Sequence, residues 1–212
     1  MQNLKSYSKL LLFLILAACN SPEAPVEDEP VTPEPEAKSG TVNFEGVTYP
    51  TLQWEAGPVW LAQNLSVEVA DSWCYENSAD CPELGRLYRW DAAQTACANL
   101  GPDWRVPTVA EWEQLAMRFG GFQDWLSVDP TGDPVAANKA LQAGGQSGLN
   151  LILSGRRGSN GGFEGKGETG FYWSATPGDD GQALCFQIQK PGAKLNRRAA
   201  TKRMGFLCRC VK

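Results

Sequence analysis

The hydrophobic pattern of the 212 residues divides the chain into three parts. Leu10 to Ala18, LLLFLILAA, is an unbroken apolar run. A helix needs roughly 20 such residues to span a bilayer, so this run is too short and has the length of a signal-peptide core. Asn20 to Gly40 reverses the pattern. Five prolines, six acids and one lysine stand there without an aromatic residue, a composition that buries no core. Extended at about 3.1 Å per residue, such a tether reaches on the order of 60 Å. From Thr41 to Lys212 apolar residues return, with all eight tryptophans and frequent glycines, in enough length for one sizeable core.

Within that domain the spacing switches between strand and helix periods. VTYPTLQW and PVWLAQNL read as strands separated by a turn at Glu55-Ala56-Gly57. WDAAQTACANLG reads as a helix from Asp91, its N-cap, to Leu100, with Gly101 as the stop. Ala93, Ala96, Cys97 and Leu100 share one face of it, which turns Cys97 inward. In WRVPTVAEW, Trp104 to Trp112, Thr108 and Glu111 have capping-box spacing and Pro107 favours an extended entry. Trp112, Leu115, Ala116 and Phe119 continue at helical spacing to Gly120-Gly121. Glu111 is thereby a cap, Trp104 and Trp112 are core aromatics, and Arg105 bonds either backbone or a carboxylate. This motif is scaffold.

Further along, DPTGDP is a turn cluster, Val135 to Leu141 a short helix, and LNLILSG strand-like. Glycine-rich GRRGSNGGFEGKGETG, Gly155 to Gly170, is expected to be a long mobile loop. FYWSATP and QALCFQIQ are strands joined by GDDG. KLNRRAATKR is expected to be a loop and MGFLCRCV the last strand.

The amino terminus suggests an address. Lys5 and Lys9 precede the apolar run, and its end, Leu16-Ala17-Ala18-Cys19, resembles the bacterial lipoprotein box. That resemblance implies cleavage before Cys19 and acylation of its thiol and amino group. One acyl chain holds only marginally and two or three hold stably. Asn20 rather than aspartate after the cysteine favours the outer membrane. The expected partner is therefore the membrane, through a lipid anchor, and the expected site is the cell envelope or surface.

Setting Cys19 aside leaves six cysteines: Cys74, Cys81, Cys97, Cys185, Cys208 and Cys210. An even number in an exported chain implies three disulfides. Zinc is the competing use, but the chain has no histidine and no C-x-x-C pair. Cys74 and Cys81 flank the turn-rich YENSAD, so a local bridge is natural. Cys208 and Cys210, two apart on a strand, face the same side. Pairing Cys185 with Cys208 across strands leaves Cys97 with Cys210, a long loop whose closure contributes about 4–5 kcal/mol on the entropic account.

TYPTLQ, VWLAQNL, SWCYEN, GRLYRWDAA, WRVPTVAEW, GFYWSAT and GFLCRCVK, in that order, resemble the Fibrobacter succinogenes major paralogous domain of bacterial lipoproteins and surface proteins. WRVPTVAEW also resembles a motif of the formylglycine-generating enzyme superfamily. The resemblance implies a C-type-lectin-like α+β fold, with two main helices beside an irregular antiparallel sheet, paired terminal strands and long loops. Domains of that fold link the first helix to the last strand, in agreement with Cys97–Cys210. Cys185 and Cys208 depart from the family pattern, and their joint presence supports the extra bridge. LSGRRG replaces a more aromatic stretch of the family.

The chemistry is narrow. Without histidine, a Ser-His-Asp triad, a Cys-His pair and histidine-held metals are excluded. Formylglycine-generating relatives work through reactive cysteines, but the even cysteine count here is accounted for by bridges. Glu111/Glu113 and Asp179/Asp180 are carboxylate pairs, but glycoside hydrolysis needs acids about 5–10 Å apart, which sequence adjacency does not supply. The expectation is a non-catalytic protein with no cofactor and no metal. Asp179 and Asp180 form either a calcium site or an exposed turn, the turn being preferred. Trp125, Phe163 and Trp173 lie near the long loops, where rings can stack on sugars; the core is the competing place for all three and the preferred one for Trp173.

Charge adds one more handle. Cys185 to Lys212 carries eight bases and no acid, in a chain of net charge −5. Arg197, Arg198, Lys202 and Arg203 either meet an anionic polysaccharide or lipid head group, or pair with the domain's own acids. Export and the acidic balance exclude nucleic acid. The expected function is adhesion or recognition of carbohydrate or another envelope ligand, the alternative a structural envelope component that binds a protein.

Overall fold

The computed structural model describes residues 36–79 and 81–212; the signal run, Cys19 and the linker to residue 35 lie outside them. β1 (Ala37–Phe44), β2 (Val47–Trp54) and β3 (Val59–Leu61) form an antiparallel sheet in chain order. Pairing starts at Ala37, ahead of Thr41, because β2 is long enough to place Trp54 opposite Ala37. Glu45 and Gly46 between β1 and β2 both have positive φ, the geometry of a two-residue hairpin turn.

β4 (Ser72–Trp73) and β5 (Leu87–Tyr88) form a short ribbon. Between them α1 (Cys81–Leu84) is tied back by the Cys74–Cys81 disulfide, as expected from the intervening turn residues. α2 (Trp90–Ala98) starts one turn position earlier than Asp91 suggested: Arg89 is its N-cap. Asp91 instead sits in the first turn, where a negative charge complements the helix dipole. α3 (Val109–Arg118) has the full capping box, with the Thr108 hydroxyl accepting from the Glu111 amide at 3.2 Å and Glu111 accepting from the Thr108 amide at 2.7 Å. α4 (Pro134–Leu141) is capped by Asp133, which accepts from the amides of Val135 and Ala136.

The remaining strands are β6 (Gly121–Asp124), β7 (Thr131–Gly132), β8 (Ser154–Arg157), β9 (Phe163–Lys166), β10 (Thr169–Pro177), β11 (Gln182–Gln189) and β12 (Asn196–Thr201). They form a seven-stranded sheet in the order β7-β6-β12-β11-β10-β8-β9. It is mixed rather than antiparallel, because β6–β12 and β8–β10 pair in parallel. The molecule is thus a helix-and-sheet domain with a third long helix, α4, in addition to α2 and α3.

Two segments expected to be loops are strands. The glycine-rich stretch makes the β8–β9 hairpin, with Arg157 opposite Phe163 and Arg156 opposite Glu164. Its glycines serve close approach: at Gly155, with φ +73°, a Cβ would fall 2.4 Å from the Glu164 carbonyl oxygen. KLNRRAATKR contributes β12, in the interior of the sheet between β6 and β11. Conversely, MGFLCRCV is not a ladder strand. It is an extended thread making single bridges: Phe206 to Tyr88, Leu207 to Tyr172, and Val211 to Trp60 and Arg105.

Two apolar clusters flank this thread. Trp112 stacks on Phe186 at 5.6 Å beneath α3, and its Nε1–H donates to the Trp173 carbonyl oxygen. On the other side Ala93, Ala96 and Cys97 of α2 pack with Phe171, Trp173 and Phe206. Between them Arg209 is fully buried. Its guanidinium donates to Asn64 Oδ1 at 2.8 Å and to the carbonyl oxygens of Leu61 at 3.0 Å and Asn150 at 2.6 Å. Burial pulls its pKa down to about 10, with Tyr172 and Cys208 opposing, so it stays charged at neutral pH.

The Cys97–Cys210 disulfide joins α2 to the thread, as expected. The third bridge is not formed: Cys185 and Cys208 are both buried free thiols. β10 separates them. Cys185 of β11 stands opposite Trp173, while the Cys208 segment bridges β10 from its other edge at Tyr172. Two strand spacings, roughly 9.5 Å, exceed the Cα separation of about 4.4–6.8 Å that a disulfide spans.

Candidate functional site

Register across four strands brings the candidate surface together. Trp173 of β10, Cys185 of β11 and Arg198 of β12 stand in one row; Phe171, Gln187 and Asn196 stand in the next. Opposed residues of antiparallel strands share a face, so these side chains lie together. The parallel pairing of Gly155 with Gly170 sets Arg156 of β8 at the end of the Phe171 row, and its guanidinium lies 4.9 Å from that ring. At the opposite edge Trp125 follows β6, and its amide donates to the Arg197 carbonyl oxygen, beside Arg198. The result is a cavity of about 380 Å³ lined by Trp125, Arg156, Phe171, Arg198 and Met204 with Cys185 at its floor.

The indole of Trp125 is 51 % exposed, with Leu126 and Val128 more exposed still. Arg198 donates to Gln187 Oε1 at 2.8 Å, which fixes its head group, and Arg156 pairs with Glu164 at 2.9 Å. Burial pushes the Cys185 thiol up to about 12, against the opposing pull of Arg198 and Arg156, so it is a neutral floor at ordinary pH. Aromatic faces beside guanidinium groups can stack a sugar ring and pair an acidic substituent at once.

The other residues singled out by sequence disperse. Trp173 is fully buried and donates its Nε1–H to the Tyr88 carbonyl oxygen, so it is core and no ligand platform. Phe163 is partly buried against Tyr75, in a run where Arg157 lies 4.0 Å over Trp73 and Lys166 lies over Tyr75. Arg197 is neutralised within the domain by Glu113 and Asp124. Lys202 covers the Trp90 ring at 3.9 Å, and Arg203 is exposed. Asp179 and Asp180 are exposed in the turn between β10 and β11. Arg156, Phe171, Gln187 and Met204 were missed. The doublet Arg156-Arg157 was the available signal, since consecutive strand residues point to opposite faces.

A larger groove, of about 650 Å³, runs beside α3 and is lined by Trp54, Pro58, Trp60, Glu111, Gln114 and Arg118. Its charges are spent internally: Arg118 pairs with Glu55 at 2.6 Å, and Glu111 takes both guanidinium nitrogens of Arg105. Burial alone would raise the Glu111 pKa. The bonds from Arg105 and from the Thr108 amide and hydroxyl outweigh it and hold the carboxyl below its ordinary range.

Helices on both sides of a mixed sheet, two cystine staples and a patch of rings and guanidinium groups define a disulfide-stapled α+β domain. Residues 54–212 match the model of the Fibrobacter succinogenes major domain, and the chain belongs to that family. No curated protein and no solved structure gives a significant match.

Proposed function

We propose that this protein is a non-catalytic recognition module of the cell envelope, held by acylated Cys19 and binding acidic polysaccharide across the Trp125–Arg198–Arg156 face. The single observation that carries the reading is that cavity, lined at one edge by an exposed tryptophan and Arg198 and at the other by Arg156. We take the fold as a C-type-lectin-like variant, a reading supported by the disulfide from the first long helix to the last segment.

The test is retention of the full chain, with Cys19→Ala for solubility, on uronate-bearing and neutral polysaccharides, with and without calcium. Saturable, salt-sensitive retention on the acidic matrix is expected, calcium-independent, and reduced about tenfold or more by Arg156→Ala with Arg198→Ala, since a charge-assisted hydrogen bond contributes about 1.5–3 kcal/mol. Equal retention of the double variant refutes the site. Membrane fractionation checks the anchor: wild type is expected with the membranes and Cys19→Ala in the soluble fraction. A second reading, a structural component that binds an envelope protein, is favoured by Leu126 and Val128, exposed by 76 % and 94 % next to Trp125. A blank glycan screen followed by specific crosslinking from position 126 supports it.

A further inference from the structure

Cys97, Cys208 and Cys210 hold their sulfurs within 4.8 Å of one another, all fully buried. Two of them form the α2 staple, and the free thiol of Cys208 lies 3.4 Å from the sulfur of Cys97. The alternation of an extended segment explains the meeting: residues 208 and 210 point to the same side, so both face Cys97. The next-nearest elements hold this arrangement from the thread's other edge, where the amides of Leu61 and Leu65 donate to the carbonyl oxygens of Cys210 and Cys208. A lone buried cysteine is a small hydrophobe. A buried thiol in contact with a disulfide sulfur is a reactant pair.

We propose that this triad is a thiol–disulfide exchange site, at which the staple shifts between Cys97–Cys210 and Cys97–Cys208. The step is balanced within the chain. The sulfur of Cys208, deprotonated, attacks Sγ of Cys97; the Cys97–Cys210 bond breaks; and Cys210 leaves as a thiolate that takes up the proton Cys208 lost. One disulfide and one thiol exist before and after, so no oxidant or reductant is consumed. In-line attack would place the outer sulfurs roughly 5.4 Å apart, from the 3.4 Å contact and a bond of about 2.0 Å. They are closer than that, so the thiol of Cys208 must first rotate about its Cα–Cβ bond. That rotation and the burial of the thiol, which keeps it protonated, make the exchange slow. Its effect is to slide the anchor of α2 by one face position along the C-terminal thread and to leave a different buried thiol, Cys210, free. Cys185 takes no part, because β10 stands between.

Trypsin separates the two registers, since it cuts at Arg209 between the two cysteines. The full chain, purified without reductant and equilibrated at pH 9, is quenched in acid, denatured, alkylated and mapped. The expected result is a peptide Trp90–Arg105 linked partly to Cys210–Lys212 and partly to Met204–Arg209, the second fraction growing with time. Linkage to Cys210–Lys212 alone at every time overturns the proposal. So does a Cys97–Cys185 linkage appearing in parallel, which marks exchange in unfolded chains. Cys210→Ala gives a second measure. Cys97 and Cys208 are expected to bond and to lose alkylation together, and labelling of both when the air-oxidised variant is denatured without reductant counts against the site.

Discussion

The Trp104–Trp112 corner and the Trp125–Arg156–Arg198 patch use the same residue types to opposite ends. In the corner the charged groups pair within six residues, Arg105 with Glu111 and Glu111 with Thr108, while the Trp112 indole N–H donates to the Trp173 carbonyl oxygen of β10. Its indoles are buried, at 6 % and 1 % exposure. In the patch the rings and guanidinium groups arrive from β8, β10, β12 and the end of β6, and the indole of Trp125 remains open to solvent. Local pairing closes a site into scaffold. Convergence of distant residues, with apolar area left uncovered, makes a surface fit for a ligand.

The comparison breaks first at Trp112. Trp112→Ala removes a fully buried indole and is expected to cost about 3–5 kcal/mol, read as a large fall in the urea midpoint. If that variant melts like wild type, the corner is not the keystone described. Next in size is Arg209→Met, which orphans Asn64 Oδ1 and the buried Leu61 carbonyl oxygen at about 1–3 kcal/mol for each group left unsatisfied, the sum being less than additive, while the Asn150 carbonyl oxygen lies on an exposed residue.

Thr108→Ala removes the cap hydroxyl and is expected to cost about 1 kcal/mol by equilibrium unfolding. The same corner predicts a pH dependence. Because the folded Glu111 pKa lies below its unfolded value, its contribution is fully present above about pH 4.3 and is lost as pH falls through the lowered folded value. Glu111→Gln is therefore expected to flatten the acid limb of stability between those two values; an unchanged limb would contradict the pairing. At the patch the expected order reverses. Trp125→Ala should leave stability within about 0.5 kcal/mol, as surface changes do, while weakening retention on acidic polysaccharide. A stability loss like that of Trp112 would make Trp125 scaffold too.

Sequence alone placed α3 and its capping box, the strands β2, β10 and β11, and the Cys74–Cys81 and Cys97–Cys210 staples. All but the last rest on local spacing or on a short run with one period; Cys97–Cys210 spans 113 residues and rested on the family resemblance and on a Cys185–Cys208 pairing that the fold does not form. It also supplied the two ends of the candidate site, Trp125 and Arg198, without showing that they meet. What it misread shares a cause. The glycines of Gly155–Gly170 signalled mobility, but tertiary contact uses their missing Cβ atoms to let β8 and β9 approach. The charges of KLNRRAATKR signalled exposure, but Glu113 and Asp124 lie across the fold from Arg197 and make an interior strand affordable there. The separation of Cys185 from Cys208 depended on which strand lies between, a matter of sheet order. Local spacing fixes caps, periods and short-range bridges because partners within a turn or two meet whatever the rest of the chain does. Only tertiary structure decides which distant residues share a face, since that depends on strand order and register across the whole sheet.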